Sequence, residues 1–260
     1  NTYIAELLRL EGRGDFTGGC CLRCSTFLSG LGLRCDDCHD LGLYCVACCL
    51  EIHVKEPVHR LQRWTGKCFI SQPLRTLAFR FQLGHAVGVK CPDAIPSLDE
   101  SFILLDLTGV HEINVDFCGC EGALPSDLQL LRQCWFPATT KDPRVAATFH
   151  LLDHVSLLSD QFDVSVADYY ACLVRLTDNT GANLPADHRP AFITMAKEWR
   201  HLKILKRAGI GNDPHGVTAT PLSGCTVDCP ACPQPGKNEF DGQEARNRRY
   251  IVLHHRLPVH

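Results

Sequence analysis

Between Cys21 and His59 the chain carries eight side chains at metal-ligand spacing: Cys21-x2-Cys24, Cys35-x2-Cys38, Cys45-x2-Cys48, His53 and His59. Eight ligands fill two tetrahedral zinc sites with no corner left for a substrate water, so the chemistry they announce is structural. So short a segment cannot bury a sizeable apolar core, and its folding is expected to require the metal. Two pairings satisfy both ions. The interleaved one joins Cys21, Cys24, Cys45 and Cys48 in one site and Cys35, Cys38, His53 and His59 in the other, tying both ends of the segment together as a cross-brace. A sequential pairing, first four then last four, remains open. Cys20 and Cys49 each adjoin a ligand and leave the register ambiguous. His39 reads as a surface residue.

The 17 cysteines and 13 histidines of the 260-residue chain pose a choice between disulfides and metal. An odd count, repeated Cys-x2-Cys pairs and accompanying histidines read as zinc in a reducing compartment, against a secreted disulfide scaffold. Two zinc ions are expected firmly and three to four in total. No basic segment leading into an apolar core opens the chain, so no secretory signal is expected. The first residue, Asn1, predicts a piece of a longer protein. A mean hydropathy of −0.05 and the absence of a long apolar run predict no membrane span. The formal net charge of −3 offers no overall basic field, so nucleic acid would need a local patch.

Four sections are expected: 16–64 as the two-zinc finger, 65–122 strand-rich, 123–210 helical, and 211–260 a Cys-rich linker. The fold class is α+β, with zinc-stabilised modules, a small antiparallel sheet and then helices. After a lead-in helix (Tyr3, Ile4, Leu7, Leu8), residues 66–70 and 77–83 look extended. Residues 101–107 and 111–117 read as two strands of a hairpin turning at Thr108-Gly109, with His111, Ile113, Val115 and Phe117 on one face. His85, Cys91, Cys118 and Cys120 make a third candidate zinc site stapling that hairpin to the preceding strand. Cys68, Cys134 and Cys172 read as core. Asp106 and Asp116 lack a third acid and fit polar strand faces, so no catalytic residues are assigned.

Helices are expected at 125–133 with Ser126 as cap, at 145–159, from Ser165 to Leu176, and at about 190–208. Trp135-Phe136-Pro137 should break the first. The last helix buries Phe192, Met195, Trp199, Leu202 and Leu205 at helical spacing. Lys197, Arg200, Lys203, Lys206 and Arg207 line its remainder, six Lys/Arg standing against Glu198 over 189–208. Clustered cations of this kind can neutralise phosphates, though a solvated helix face explains them as well. Cys225, Cys229 and Cys232 form a further group whose fourth ligand would be His215, His254 or His255.

Two resemblances follow from these residues. Arg34-Cys35-Asp-Asp-Cys38, Leu43-Tyr44-Cys45-Val-Ala-Cys48 and the His53/His59 pair resemble the ZZ-type zinc finger. That likeness implies an acidic groove at Asp36, Asp37 and Asp40 for a basic or amino-terminal peptide such as a histone tail; the plain alternative is three solvated loop residues. The longer series resembles the CxC2-like cysteine cluster found ahead of the catalytic domain in fungal KDZ transposases. It comprises Pro57-Val-His59-Arg60, Trp64-Thr-Gly66, Leu83-Gly84-His85, Gly109-Val-His111, Phe117-Cys118-Gly-Cys120 and Leu130-Leu131-Arg132. It continues with Trp135-Phe136-Pro137-Ala138-Thr139, Arg175-Leu-Thr-Asp178-Asn179, Trp199, Lys206-Arg207-Ala-Gly209 and Cys229-Pro-Ala-Cys232-Pro-Gln-Pro-Gly236. This implies a nuclear protein handling DNA or chromatin, whose ribonuclease-H-like core would begin in the last residues. The strand-borne acid expected after Tyr250-Ile-Val-Leu is missing. The resulting expectation is a non-catalytic, zinc-binding portion with DNA, chromatin or a peptide tail as partner and no small-molecule substrate. The alternatives are a peptide reader without DNA binding, or part of a metal-dependent transposase or nuclease.

Overall fold

The structure is a computed structural model and describes residues 1–29, 31–86, 88–97, 101–212 and 214–219. It divides into two compact units, Asn1–Arg200 and His201–His260. Cys225, Cys229, Cys232, His254 and His255 lie outside the described residues.

The first unit opens on α1 (Thr2–Glu11), whose Tyr3, Ile4, Leu7 and Leu8 are all exposed. Its C-terminal end is pinned by Arg34. That guanidinium donates to the carbonyls of Leu10 and Gly12 at 2.9 Å each and lies 3.7 Å from the centroid of the Phe69 ring. A cation at the carbonyl end of a helix satisfies acceptors that have no partner within it. Arg34 belongs to β1 (Leu33–Cys35), which pairs antiparallel with β2 (Leu61–Trp64), itself paired with β3 (Phe69–Ser71). α2 (Val46–Ile52) packs beside this small sheet.

A 3-10 turn (Leu74–Leu77) follows, then β4 (Phe81–Gln82), β5 (Ala94–Pro96), β6 (Phe102–Asp106), β7 (Gly109–Ile113) and β8 (Val115–Cys118). The extended reading of 77–83 therefore shrinks to two residues: Ala78, at φ 59°, closes the 3-10 turn and reverses the chain. β6 and β7 form the hairpin expected around Thr108-Gly109. Gly109 sits at φ 140°, and a Cβ there would come within 2.6 Å of Thr177 Oγ1. The second strand of that hairpin does not run unbroken to Phe117. At Asn114 the chain changes sheets, β8 becoming the centre of a second three-stranded sheet ordered β4-β8-β5. Asn114 fixes the change: its Nδ2 donates to the Phe79 carbonyl at 3.1 Å and its own carbonyl accepts from Phe81 N–H.

The remaining elements are α3 (Ser126–Arg132), β9 (Trp135–Pro137), β10 (Val145–Thr148), α4 (Phe149–Phe162), α5 (Val166–Thr177) and α6 (Arg189–Arg207). β10 lies between β6, to which it is parallel, and β9, giving a sheet ordered β7-β6-β10-β9. Residues 145–148 thus start as a strand, not as the first turn of a helix. Ala146 and Ala147 are both fully buried, one on each face, and a strand covered on both sides loses the alternation that would have identified it. Thr148 caps α4, accepting from Leu151 N–H at 3.3 Å. Trp135-Phe136-Pro137 is the edge strand β9, where a proline costs no ladder bond. Pro125 rather than Ser126 occupies the cap of α3, and no side chain caps it. Ser165 caps α5 as expected, accepting from Asp168 N–H at 3.0 Å.

The four-stranded sheet divides the core. Phe102, Leu104, Trp135 and Ala146 face one apolar cluster, shared with Leu33, Leu61, Phe81 and Val115. Leu105, Phe136 and Ala147 face the other, with Leu151, Leu152, Tyr170, Leu173, Phe192 and Met195 from the helices. Cys68, Cys134 and Cys172 are not core residues; all three are exposed. Cys134 turns outward at φ 61° between α3 and β9, and Cys172 sits on the solvent side of α5. Leu202 is 46% exposed, and Ala196 rather than Leu202 joins Phe192 and Met195 in the core. No helix among the described residues is long and apolar enough to cross a membrane.

Candidate metal centres

Three groups of four side chains converge, each with its ligand atoms within 4.8 Å of one another: Cys21, Cys24, Cys45, Cys48; Cys35, Cys38, His53, His59; and His85, Cys91, Cys118, Cys120. The first two draw alternately on the chain. Cys21 and Cys24 flank a tight turn closed by Ser25 N–H to the Cys21 carbonyl, and Cys45 and Cys48 open α2. Cys35 ends β1, Cys38 follows it, His53 follows α2 and His59 precedes β2.

The spacing within each group tests what fits. Tetrahedral zinc with Zn–S near 2.3 Å and Zn–N near 2.05 Å sets neighbouring sulfurs about 3.8 Å apart, and a sulfur and a nitrogen about 3.6 Å apart. Cys24 and Cys45 Sγ are 3.7 Å apart. Cys38 Sγ lies 3.5 Å from both His53 Nε2 and His59 Nδ1, and Cys35 Sγ 3.5 Å from His59 Nδ1. In the third group Cys91 and Cys120 Sγ are 3.5 Å apart, with His85 Nε2 3.2 Å from Cys118 Sγ and 3.5 Å from Cys120 Sγ. These distances, 3.2–3.7 Å, lie close to the edges of a tetrahedral zinc site, and the soft thiolate and imidazole donors suit that ion. Outer contacts orient the ligands. His53 Nδ1 donates to the Cys49 carbonyl at 2.8 Å, which leaves Nε2 to face the site. Asp37 N–H donates to Cys35 Sγ at 3.4 Å.

Protonation follows from crowding. Burial, with the Cys38 thiol beside it, pushes the Cys35 thiol up to about 12, and neighbouring Cys91 and Cys118 push Cys120 up to about 11. Cys21 goes the other way, to about 6: burial opposes ionisation, but the N–H groups of Cys24, Cys45 and Arg23 outweigh it. A divalent cation supplies the charge that lets all the thiols of a group ionise together.

Cys20 and Cys49 stand outside the groups. Cys20 is exposed in a bridge with Phe27, and Cys49 is buried in the core with Leu33 and Leu61. His39 is exposed.

The three aspartates of the expected acidic groove do not act together. Asp37 forms a two-pronged ion pair with Arg60 and accepts from Arg60 N–H at 2.6 Å. Asp40 accepts from Gly42 N–H at 2.9 Å and from the Tyr44 hydroxyl. Asp36 alone borders open space, a groove of about 800 Å³ lined also by Gln62, Arg75, Thr108, His111 and Glu112. Asp106 and Asp116 are likewise engaged. Asp106 accepts from the Thr148 and Thr108 hydroxyls, and Arg80 grips Asp116 with two nitrogens.

His111, on that groove, donates or accepts at 2.8 Å with the Thr108 hydroxyl, and burial holds its pKa down at about 4. The unfolded chain takes up this proton near pH 6.5 and the folded chain only near 4. Its contribution to stability is therefore whole above about pH 6.5 and falls as pH drops towards 4, by roughly 3 kcal/mol in all. Replacing His111 with Gln should flatten the pH dependence of urea midpoints in that window; an unchanged slope would remove His111 as its source.

On α6 the cations divide. Lys197, Lys203, Lys206 and Arg207 are exposed, whereas Arg200 is half-buried with Nε and Nη2 out of reach of solvent. Lys203, Lys206 and Arg207 fall within about 100° of helix circumference. Spacing in sequence gave no sign that Arg200 turns inward. The sequence also left unread the role of Arg34 at the end of α1, the pairing of Asp37 with Arg60, and Gln129, which bonds the backbone of Cys118. An arginine beside a ligand cysteine was the available signal for Arg34, and nothing local marks the others.

With three four-ligand groups in place, the third can be set beside known sequences. Residues 74–181 match the CxC2 like cysteine cluster associated with KDZ transposases. No curated protein and no solved structure matches the chain. The CxC2-like span holds the third centre entire, together with the four-stranded sheet and α3 to α5. It leaves out the run from Cys21 to His59, and it leaves out α6.

Proposed function

We propose that this chain is a non-catalytic, zinc-organised recognition module of a KDZ transposase-like protein, acting on DNA or chromatin in the nucleus. The carrying observation is that each of three Cys/His groups has four protein ligands, so an ion in any of them has no open position for substrate. Zinc then shapes surface instead of performing chemistry. In this reading residues 16–64 are a ZZ-like, cross-braced finger, 65–122 a strand-rich section with the third zinc, and 123–210 a helical section. Residues 211–260 are a Cys-rich linker and the start of a transposase-like domain. The exposed cations of α6 supply the phosphate contacts.

Fluorescence anisotropy with a labelled 20-base-pair duplex over 50–200 mM salt tests it. A phosphate-binding face gives a linear fall of log affinity with log salt, each contact contributing about 0.9 to the slope. Replacing Lys203, Lys206 and Arg207 together with Ala should lower that slope by about 3. No binding by the native chain, or a slope unchanged by the substitutions, sinks the proposal for α6. Strand cleavage by this chain with Mg2+ or Mn2+ would overturn the non-catalytic assignment.

A second reading, a ZZ-like reader of basic or amino-terminal peptides, draws support from Asp36 on the 800 Å³ groove. Histone-tail binding that survives the α6 substitutions and is lost in Asp36→Asn would favour it.

A further inference from the structure

We propose that Gln129 is the positioning residue of the third metal centre, holding Cys118 and the turn that carries Cys120 in ligating geometry. The proposal rests on reading that group as a metal site.

β8 is the middle strand of its sheet, with Cys118 beside Ala94 of β5 on one side. On the other side β4 keeps company with β8 only as far as Leu83, whose N–H donates to the Asp116 carbonyl at 2.8 Å. There the chain leaves. Gly84, at φ +79°, swings it across so that His85 reaches the site, and a Cβ on Gly84 would stand 2.4 Å from the Cβ of Cys118. The departure that delivers one ligand deprives another of its strand partner, because the N–H and C=O of Cys118 now face a place with no backbone to pair with. A buried backbone pair cannot be left so.

Gln129 fills the place. It is 5% exposed and reaches over from α3. Its Oε1 accepts from Cys118 N–H at 2.8 Å, and its Nε2 donates to the Cys118 carbonyl at 3.0 Å. The side-chain amide thus repeats what a neighbouring strand would have offered. The second Nε2 hydrogen goes to the Leu124 carbonyl at 2.7 Å, closing the turn from Cys120 to Leu124, where Ala123 N–H also donates to the Cys120 carbonyl. One amide therefore fixes the direction of the Cys118 thiol and the path of the loop bearing Cys120. A neutral amide suits the position, since a carboxylate would add charge beside three thiolates and could not donate. Outer partners of this kind change metal affinity by about 10- to 100-fold when removed.

The test uses the full chain, titrated with Zn2+ against a chromophoric chelator and with Co2+ read by its visible thiolate bands. Cys91→Ser identifies the equivalent that belongs to the third centre. Gln129→Met should weaken that equivalent by about 10- to 100-fold and shift its Co2+ bands, leaving the Cys21–His59 equivalents unchanged. Gln129→Asn, too short to reach Cys118 and Leu124 together, should move the same equivalent the same way by less. It decides the matter if the Met variant fails to fold. Leu130→Ala is the structural comparison: Leu130 is fully buried in the same helix, so its loss lowers Tm without touching the third equivalent. If Gln129→Met lowers Tm as Leu130→Ala does but holds its metal as the native chain does, the residue is a core hydrogen-bonder and the proposal falls. If the native chain gains no equivalent that Cys91→Ser removes, the metal reading of this group fails, a result distinguishable from the first.

Discussion

Stripping metal with a strong chelator is expected to unfold the segment from Cys20 to Trp64 while the four-stranded sheet and its helices keep their structure. The imbalance follows from what each part has to hold it. In the N-terminal segment only Leu28 and Leu43 pack in a small cluster of its own, with Cys21 and Cys48, while Leu33 and Leu61 reach the apolar cluster shared with the four-stranded sheet. So few apolar side chains do not by themselves offset the conformational entropy of ordering roughly forty residues. Where the apolar core is this small, a structural zinc ion contributes folding free energy outright, about 10–16 kcal/mol at neutral pH. Trp64, the last residue of this segment, packed on Phe69 of β3 with ring centroids 4.9 Å apart, reports the change through its emission, and limited proteolysis locates it. Cys38→Ser should reproduce the collapse at one site. Cys20→Ser should not, and Cys49→Ser should cost only the packing of a small buried side chain. Native-like Trp64 emission and protection from protease without metal would show that the segment folds on its own apolar contacts.

Phe102→Ala is expected to cost about 3–5 kcal/mol of unfolding free energy. Phe102 has no solvent exposure, stands edge-on to Phe117 at 6.4 Å and lies stacked on Trp135 at 6.5 Å between centroids. It joins the four-stranded sheet, through β6, to the three-stranded sheet, through Phe117 of β8, so its cavity opens where two sheets meet and neither can close over it alone. Urea denaturation of the metal-loaded protein measures the cost. A loss below about 1.5 kcal/mol would mean that the two sheets collapse onto the gap and are less rigidly joined than this packing implies.

What could be read from the sequence divides along the range of the forces involved. Ligands at Cys-x2-Cys spacing declare themselves because one ion must be reached by neighbours in the chain. His85 and Cys91 could be grouped with Cys118 and Cys120 because so many ligand-type residues shared one short stretch. Ser165 was legible because a cap acts on the very next turn. The change of sheets at Asn114 was hidden because Ile113, Val115 and Phe117 are all buried, and alternation reports a buried face without naming the sheet it belongs to. Val145 to Thr148 read as helix because a strand covered on both faces shows continuous apolar character. Arg200 and Gln129 were beyond reach for the same reason: the first turns inward and the second bonds a strand that nothing local brings near. Both facts belong to tertiary packing.

The alternating use of the chain by the first two metal groups has a consequence for a cut polypeptide. The loop around Asp40 and Leu41, both exposed, separates Cys21, Cys24, Cys35 and Cys38 from Cys45, Cys48, His53 and His59. A protease nick there leaves each group with candidate ligands on both fragments, so with zinc in both groups the two pieces should stay clasped and elute as one. They should part when the metal is withdrawn. Had each ion taken four successive ligands, the same nick would have freed two independent beads. With both ions bound, the alternation would make of two weak local folds a clasp able to outlast a break in its own backbone.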